Sequence, residues 1–254
     1  MTVAEGPLAG WRILVTRPAD QCAPFAAALE AAGAVALAYP TIAVEPPPSW
    51  HALDEALARI DGYAWVVFSS PSAVRFTLGR AAELGAGGEG VFAGRKVAAI
   101  GAQTARALGE AGIVVDRLPD DDQRQEGLIT ALGDLPAGTR VLFPQAIGGR
   151  ELLADRLRAQ GCAVDVVPVS RTVPLHLAGA PPPFDVATFA SPSAFRAFAD
   201  GPGATALRGR LIAAIGPTTA AAIAAAGLGV DVVATTPSAT GLVSALVAFR
   251  QRPG

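Results

Sequence analysis

Short polar turns hold most of the side chains in this sequence that could do chemistry. Seven of them each follow an apolar run: Thr16-Arg17-Pro18, Ser69-Ser70-Pro71-Ser72, Gly101-Ala102-Gln103-Thr104, Gln145 to Arg150, Ser191-Pro192-Ser193, Gly216-Pro217-Thr218-Thr219 and Thr235-Thr236-Pro237-Ser238. Where a strand leads into a helix, such residues have two uses. Their hydroxyls accept hydrogen bonds from the orphan N–H groups of the first helical turn, which is ordinary capping. The same N–H groups, at the positive end of the helix dipole, also hold anions without a basic side chain. A ligand bearing many carboxylates or phosphates suits a set of such turns, even in a chain of net charge −2.

Sharper chemistries fail on context. Gly85-Ala86-Gly87-Gly88-Glu89-Gly90 spells G-x-G-x-x-G but follows a helical pattern and precedes a strand, the reverse of a dinucleotide site. Lys96, the only lysine, opens a strand, so no phosphate-binding loop exists. His51 and His176 stand apart near prolines and outside any i, i+4 pair, which argues against zinc and against a Ser-His-Asp triad. Asp120-Asp121-Asp122 reads as a solvated charge run. No metal and no cofactor is expected.

The elements that must position the turns are short. Ile13–Val15, Trp65–Phe68, Val97–Ile100, Val141–Phe143, Val186–Phe189 and Leu211–Ile215 are apolar runs of strand length. Helical patterns follow at Pro24–Ala32, Ser72–Leu84, Thr104–Ala111, Glu151–Gln160 and Thr218–Ala226, with Gly33, Gly112, Gly161 and Gly227 just past helix ends. Alternating strand and helix predicts α/β architecture, with parallel sheets flanked by helices on both faces.

The chain also repeats itself in a permuted order. Trp11 to Pro46 recurs as Thr139 to Pro174 at a constant offset of 128, matching Gly33 with Gly161, Pro40 with Pro168 and Pro46 with Pro174. A second kind of unit, from about Asp61 to Leu132, recurs from about Asp185 to Leu246. It matches Phe68–Ala73 with Phe189–Ala194, Ala99-Ile100-Gly101 with Ala214-Ile215-Gly216, and Asp116 with Asp231. Two similar α/β domains are therefore expected. Ala38–Pro46 and Val166–Pro174 each carry a proline in the middle and another at the end, which suits an edge or an exposed linker. If both stretches cross between domains, they form a two-stranded hinge between lobes that close on a ligand. A single fused sheet, or tandem domains with one linker, remains the alternative at this stage.

Composition bounds the rest. Of 254 residues, 51% are hydrophobic and 17% charged, which excludes disorder. No apolar run approaches a membrane span, and Glu5 and Pro7 do not fit a secretory signal. The slightly acidic balance argues against a nucleic-acid partner. Cys22 and Cys162 are far apart and suggest no disulfide framework, so a cytoplasmic protein is expected. A monomer is expected because two lobes would form the cleft within one chain.

Taken together, Ile13-Leu14-Val15-Thr16-Arg17-Pro18, Phe68-Ser69-Ser70-Pro71-Ser72-Ala73-Val74, Ile100-Gly101 with Thr104-Ala105, Phe189-Ala190-Ser191-Pro192-Ser193, Ala214-Ile215-Gly216-Pro217-Thr218-Thr219-Ala220, and Pro237-Ser238 with Gly241-Leu242 resemble the uroporphyrinogen-III synthase family, in order along essentially the whole chain. The resemblance implies one domain from 1–38 plus 173–254, a second from 47–165, and linkers at 39–46 and 166–172. It implies cyclisation of hydroxymethylbilane, a linear tetrapyrrole with eight carboxylate side chains, to uroporphyrinogen III. The terminal hydroxyl leaves as water and ring D is inverted through a spiro intermediate, without metal or organic cofactor. By matching motifs it marks Thr104, Ser170 and Thr219 as catalytic candidates, Ser170 standing where the family commonly has a tyrosine that helps the hydroxyl depart. It marks Arg17, Ser69, Ser70, Arg150, Ser191, Arg210 and Thr218 as substrate-binding. Transient contact with the preceding pathway enzyme is a further expectation. A tetrapyrrole-binding or regulatory homologue with weak or no synthase activity, and a hinge-type binder of small anions, are the competing readings.

Overall fold

The structure, a computed structural model, describes residues 5–87, 89–120, 122–177, 179–203 and 205–252. Gly88 of the glycine-rich loop and Asp121 of the acidic run lie outside the described residues. Short apolar segments pair into strands, and the polar-flanked segments between them coil into helices. The order is β1 (Arg12–Val15), α1 (Ala19–Ala31), β2 (Val35–Ala38), β3 (Ile42–Glu45), α2 (His51–Ala58), β4 (Trp65–Phe68), α3 (Pro71–Glu83), β5 (Lys96–Ala99), α4 (Ala102–Glu110), α5 (Gln125–Leu132), β6 (Arg140–Ala146), α6 (Leu152–Ala159), β7 (Ala163–Pro174), β8 (Val186–Phe189), α7 (Pro192–Phe198), β9 (Leu211–Ala214), α8 (Pro217–Ala225), β10 (Val232–Val233) and α9 (Ala239–Arg250). The chain divides into two compact units, Met1–Ala43 with Val173–Gly254, and Val44–Thr172.

The first unit holds a sheet of order β10-β9-β8-β1-β2, parallel throughout. The second sheet has the order β3-β7-β6-β4-β5, parallel from β7 to β5. The run β9-β8-β1-β2 thus corresponds to β5-β4-β6-β7, and the correspondence reaches single registers. Arg12 pairs with Val35 and Arg140 with Ala163, both partners displaced by the same 128 positions. The lone bridge Ala98 to Arg117 stands where Ala213 pairs with Val232. Asp116 accepts a hydrogen bond from Val97 N at 2.7 Å, and Asp231 accepts one from Ile212 N at 2.8 Å. Ser70 and Ser191 cap α3 and α7 with the same 3.1 Å bond, from Ala73 N and Ala194 N. Gly33 and Gly161, the matched glycines past α1 and α6, have φ of +92° and +87°, a region that L side chains avoid.

Each sheet is buried on both faces, because its strands point alternate side chains to opposite sides. In the second unit, Val66, Phe68 and Leu142 pack under α3 and α4 with Val74 and Leu108. Trp65, Val67, Val141 and Phe143 pack under α5 and α6 with Leu128, Leu153 and Leu157. In the first unit, Ile13, Val15 and Val186 meet Phe25, Leu29, Leu242 and Leu246 of α1 and α9. Leu14, Ala187 and Phe189 meet Phe195, Phe198 and Ile223 of α7 and α8. Each large side chain so buried contributes about 1.5–3 kcal/mol.

Three sequence expectations need correction. Helix α1 starts at Ala19 and carries Pro24 inside it, rather than starting at Pro24. The buried face of Cys22, Phe25 and Leu29 offsets the lost backbone bond. Residues 166–170, expected at an edge or exposed, instead continue β7 in register with β6, in the interior of the sheet. Pro168 is tolerated there because the ladder slips beside it, Gln145 pairing with Pro168 and Ala146 with Ser170, so that the missing N–H coincides with a bulge. His51 does have an i, i+4 neighbour, since its Nε2 lies 3.4 Å from a Glu55 carboxylate oxygen on exposed α2.

The matched caps and strand-start carboxylates make a paired prediction. Ser70→Ala and Ser191→Ala should each cost about 1 kcal/mol. Asp116→Ala and Asp231→Ala, which strand a backbone N–H, should each cost about 1–3 kcal/mol. Urea titration with probes in both units should show each loss in the unit that carries the change.

Candidate active site

Parallel strands put all their carboxyl ends on one edge of a sheet, and the helices begin there. In the first unit that edge gathers Thr16 and Arg17 after β1, Ser191 after β8, and Thr218 and Thr219 after β9. In the second it gathers Ser69 and Ser70 after β4, Thr104 after β5, Arg150 beyond β6, and Ser170 in β7 beside Ala146 at the end of β6. Ligands of open parallel sheets bind at this edge.

Arg17 is the most telling residue. It is partly buried, its guanidinium carbon lies 5.1 Å from the Phe25 ring centroid, and its Nε is buried without a hydrogen-bond partner. Burial pushes its pKa below the ordinary arginine value, with the Cys22 thiol acting in the opposite direction. A guanidinium keeps its charge in proteins, so this is a partly desolvated cation. No carboxylate among the described residues pairs with it. An incoming anion would recover the solvation it has lost. Cys22 donates from Sγ to Arg17 O at 3.3 Å, and burial raises its pKa, so it supports the turn as a neutral thiol.

Beside Arg17, two helix starts differ. Ser191 Oγ accepts from Ala194 N, yet its own hydroxyl proton is left to donate to a ligand. Helix α8 has Gly216 as its N-cap and Pro217 in its first turn, and no side chain caps it. Its first-turn amides therefore stay open, with Thr218 exposed and Thr219 only 3% exposed. Thr104, also 3% exposed, occupies the same third position in α4.

In the second unit side chains occupy the starts of α3, α4 and α6, while α5 has no side-chain cap. Gln123 Oε1 accepts from Ala102 N at 3.1 Å, occupying the start of α4. Gln125 Oε1 accepts from Leu153 N at 2.9 Å, and its Nε2 donates to Arg150 O at 2.7 Å, closing α6. Ser70 closes α3. Arg150 is exposed and already paired, its Nη2 lying 2.7 Å from Glu126 Oε1, and that contact holds the Glu126 carboxyl below its usual range. An exposed pair of this kind is worth about 0–1 kcal/mol, so a ligand carboxylate can compete for Arg150. Ser69 is half-buried, and Ser170 is 1% exposed.

One candidate does not join the others. Arg210 immediately precedes β9 and its guanidinium stands near the Phe184 ring, at the amino end of the parallel sheet. The edge that holds Arg17 and Thr219 is the opposite one, and the intervening strand separates them. Sequence reasoning also missed Gln123 and Gln125, whose partners lie more than twenty positions away, and the hydroxyls of Thr41 and Thr188. Thr188 did leave a trace: a threonine in the apolar run Val186–Phe189 where its repeat mate is Val67. Among the described residues, no group of three or more His, Cys, Asp or Glu could hold a metal ion, and no helix is long and apolar enough to cross a membrane.

Comparison with known proteins agrees with this architecture. Solved uroporphyrinogen III synthases share the fold. That of Thermus thermophilus, in a mutant form, superposes with a TM-score of 0.62 at 22% identity, covering 96% of this chain and 100% of that one. That of Helicobacter pylori gives 0.63 at 16% identity, covering 94% and 98%. The uroporphyrinogen-III synthase of Synechococcus elongatus is 39% identical over 167 residues, 65% of this chain and 62% of that protein. A putative uroporphyrinogen-III synthase of Methanothermobacter thermautotrophicus is 34% identical over 164 residues, 62% of this chain and 61% of that protein. These two alignments thus span about three fifths of each relative. The family model described as uroporphyrinogen-III synthase HemD matches residues 23–244. With most of its length inside that match, the chain belongs to the uroporphyrinogen-III synthase family.

Proposed function

We propose that this protein cyclises hydroxymethylbilane to uroporphyrinogen III, expelling the terminal hydroxyl as water and inverting ring D before the ring closes. The observation that carries the reading is Arg17: a partly buried cation without a carboxylate partner among the described residues, on the same sheet edge as the uncapped start of α8. A substrate with eight carboxylates supplies what both lack. Family membership narrows that polyanion to a tetrapyrrole.

In this reading the protein works mainly by positioning. The linear substrate closes without inversion when left to itself, so the enzyme must favour one approach of ring D over another. Holding reacting atoms in a near-attack geometry supplies about 7–11 kcal/mol in favourable cases. Arg17, Ser191, Thr218 and the α8 amides hold carboxylates in the first unit, and Ser69, Ser70 and Arg150 do so in the second. Thr104 and Thr219 lie close to the helix starts and can donate to the departing hydroxyl directly or through a water. Ser170, shorter than the tyrosine it replaces, acts only through a water. The domains at 1–38 plus 173–254 and at 47–165, with two linking segments, belong to the same reading, supported by the two chain crossings at Ala43/Val44 and Thr172/Val173. A cytoplasmic monomer that takes substrate from the preceding enzyme completes it.

The test is direct. Purified protein mixed with freshly generated hydroxymethylbilane should give mainly the type III isomer after oxidation and separation. An isomer ratio equal to that of a protein-free control would leave the tetrapyrrole-binding homologue as the better reading. Arg17→Ala should lower kcat/KM about 10- to 150-fold, the range expected for losing a hydrogen bond to a charged group. Thr219→Ala should reduce turnover without abolishing it. Complete loss on that single deletion, with the fold intact by circular dichroism, would point to one essential acid instead of distributed positioning.

A further inference from the structure

Three fully buried or nearly buried threonines knit the strand ends of the first unit. Thr16 Oγ1 donates to Thr188 O at 2.7 Å, and Thr188 Oγ1 donates to Leu14 O at 2.7 Å, so β1 and β8 are cross-tied beside Arg17. Thr41 does more. Its hydroxyl lies 2.9 Å from Ala194 O in the first turn of α7 and 3.2 Å from Thr16 O. Its backbone N–H donates to Thr16 O at 3.4 Å, and its carbonyl accepts from Leu175 N at 2.9 Å. Thr41 lies two residues before the chain leaves the first unit, and Leu175 lies just after it returns. Within the first unit, one side chain and its backbone thereby join both crossing segments to the turns that carry Arg17 and Ser191.

The second unit serves as an internal control. Under the repeat, Thr16 corresponds to Pro144, Thr41 to Val169 and Thr188 to Val67. None of these can donate a side-chain hydrogen bond, and Val67 and Val169 are buried among apolar neighbours. The strand pairing that the units share is therefore built without the hydroxyls, and beyond Ala38 the units part, since Thr41 lies outside a strand and Val169 within β7. What the threonines add is confined to the edge where the unpaired guanidinium stands.

We infer that Thr41 is a positioning residue for substrate carboxylates, holding the Arg17 and Ser191 turns in fixed register with each other and with the two crossing segments. This rests on the reading of those turns as carboxylate holders. Thr41→Val is nearly isosteric and installs the residue that the second unit already uses, so the fold is expected to persist. Thr41→Ser restores the hydroxyl.

Two measurements on the full chain decide it. With hydroxymethylbilane as substrate, Thr41→Val should raise KM about three- to tenfold, the range of one net hydrogen bond, with kcat changed less than about twofold. Thr41→Ser should return KM to near the wild-type value. In amide hydrogen exchange without ligand, Thr41→Val should speed exchange in segments 16–22 and 191–198 by a comparable factor, with α9 unchanged. Unaltered KM, failure of serine to restore it, or faster exchange spread equally through α9 would overturn the inference. Should the wild-type protein form no type III isomer, the synthase reading fails, and the exchange experiment still decides whether Thr41 registers the two turns.

Discussion

Parallel strand pairing is the constraint on which everything else here depends. It sends every strand's carboxyl end, and hence every following helix start, to one edge of the sheet. The partial positive charges of those helix starts add along a common edge instead of cancelling between opposite ends. A chain with net charge −2 can in this way present a local surface that favours anions. The cost is that both faces of each sheet must be covered. The helices α1 with α9, α7 with α8, α2 with α3 and α4, and α5 with α6 do so.

The two units share this plan yet differ at the edge. In the second unit Gln123, Gln125 and Ser70 supply internal acceptors to helix-start amides, and Glu126 neutralises Arg150. In the first, α8 starts without a side-chain cap, and Arg17 is partly desolvated without a counter-ion among the described residues. Ser191 and Ser238 cap α7 and α9 in the first unit as well, so the difference between the units lies at α8 and Arg17. At α8 and Arg17 an incoming carboxylate would replace no internal partner among the described residues. The threonine ties among β1, β8 and the segment leading into β3 fit that picture. A loosely held unpaired guanidinium would relax toward solvent, and fixed neighbours keep it where its unmet charge is useful.

Much of the fold was legible because several signals were not interchangeable. Gly33 and Gly161 both require a left-handed backbone, and Ser70 and Ser191 both bond the third amide of their helices. Asp116 and Asp231 both receive a strand-start N–H. Each constraint is local, so each left a residue of fixed type at a fixed offset, and the permuted repeat could be read from them in an alanine-rich chain. The site was partly legible for the same reason: a turn after a short apolar run is a strand end, and in a parallel sheet strand ends converge.

The alternation of strand and helix, the matched caps and the polar turns were written locally, since they follow from side chains acting within a few residues of themselves. Tertiary structure alone decided the rest. It put Arg210 at the amino end of β9, away from Arg17, although both are arginines beside apolar runs. It admitted Pro168 into an interior strand by placing a bulge beside it. It brought Gln123 and Gln125 to helix starts, and Thr41 to Ala194, from far along the chain. Whether a buried polar atom is satisfied depends on what the fold sets next to it, and that neighbour is specified by register and packing across the whole unit, which no local pattern encodes.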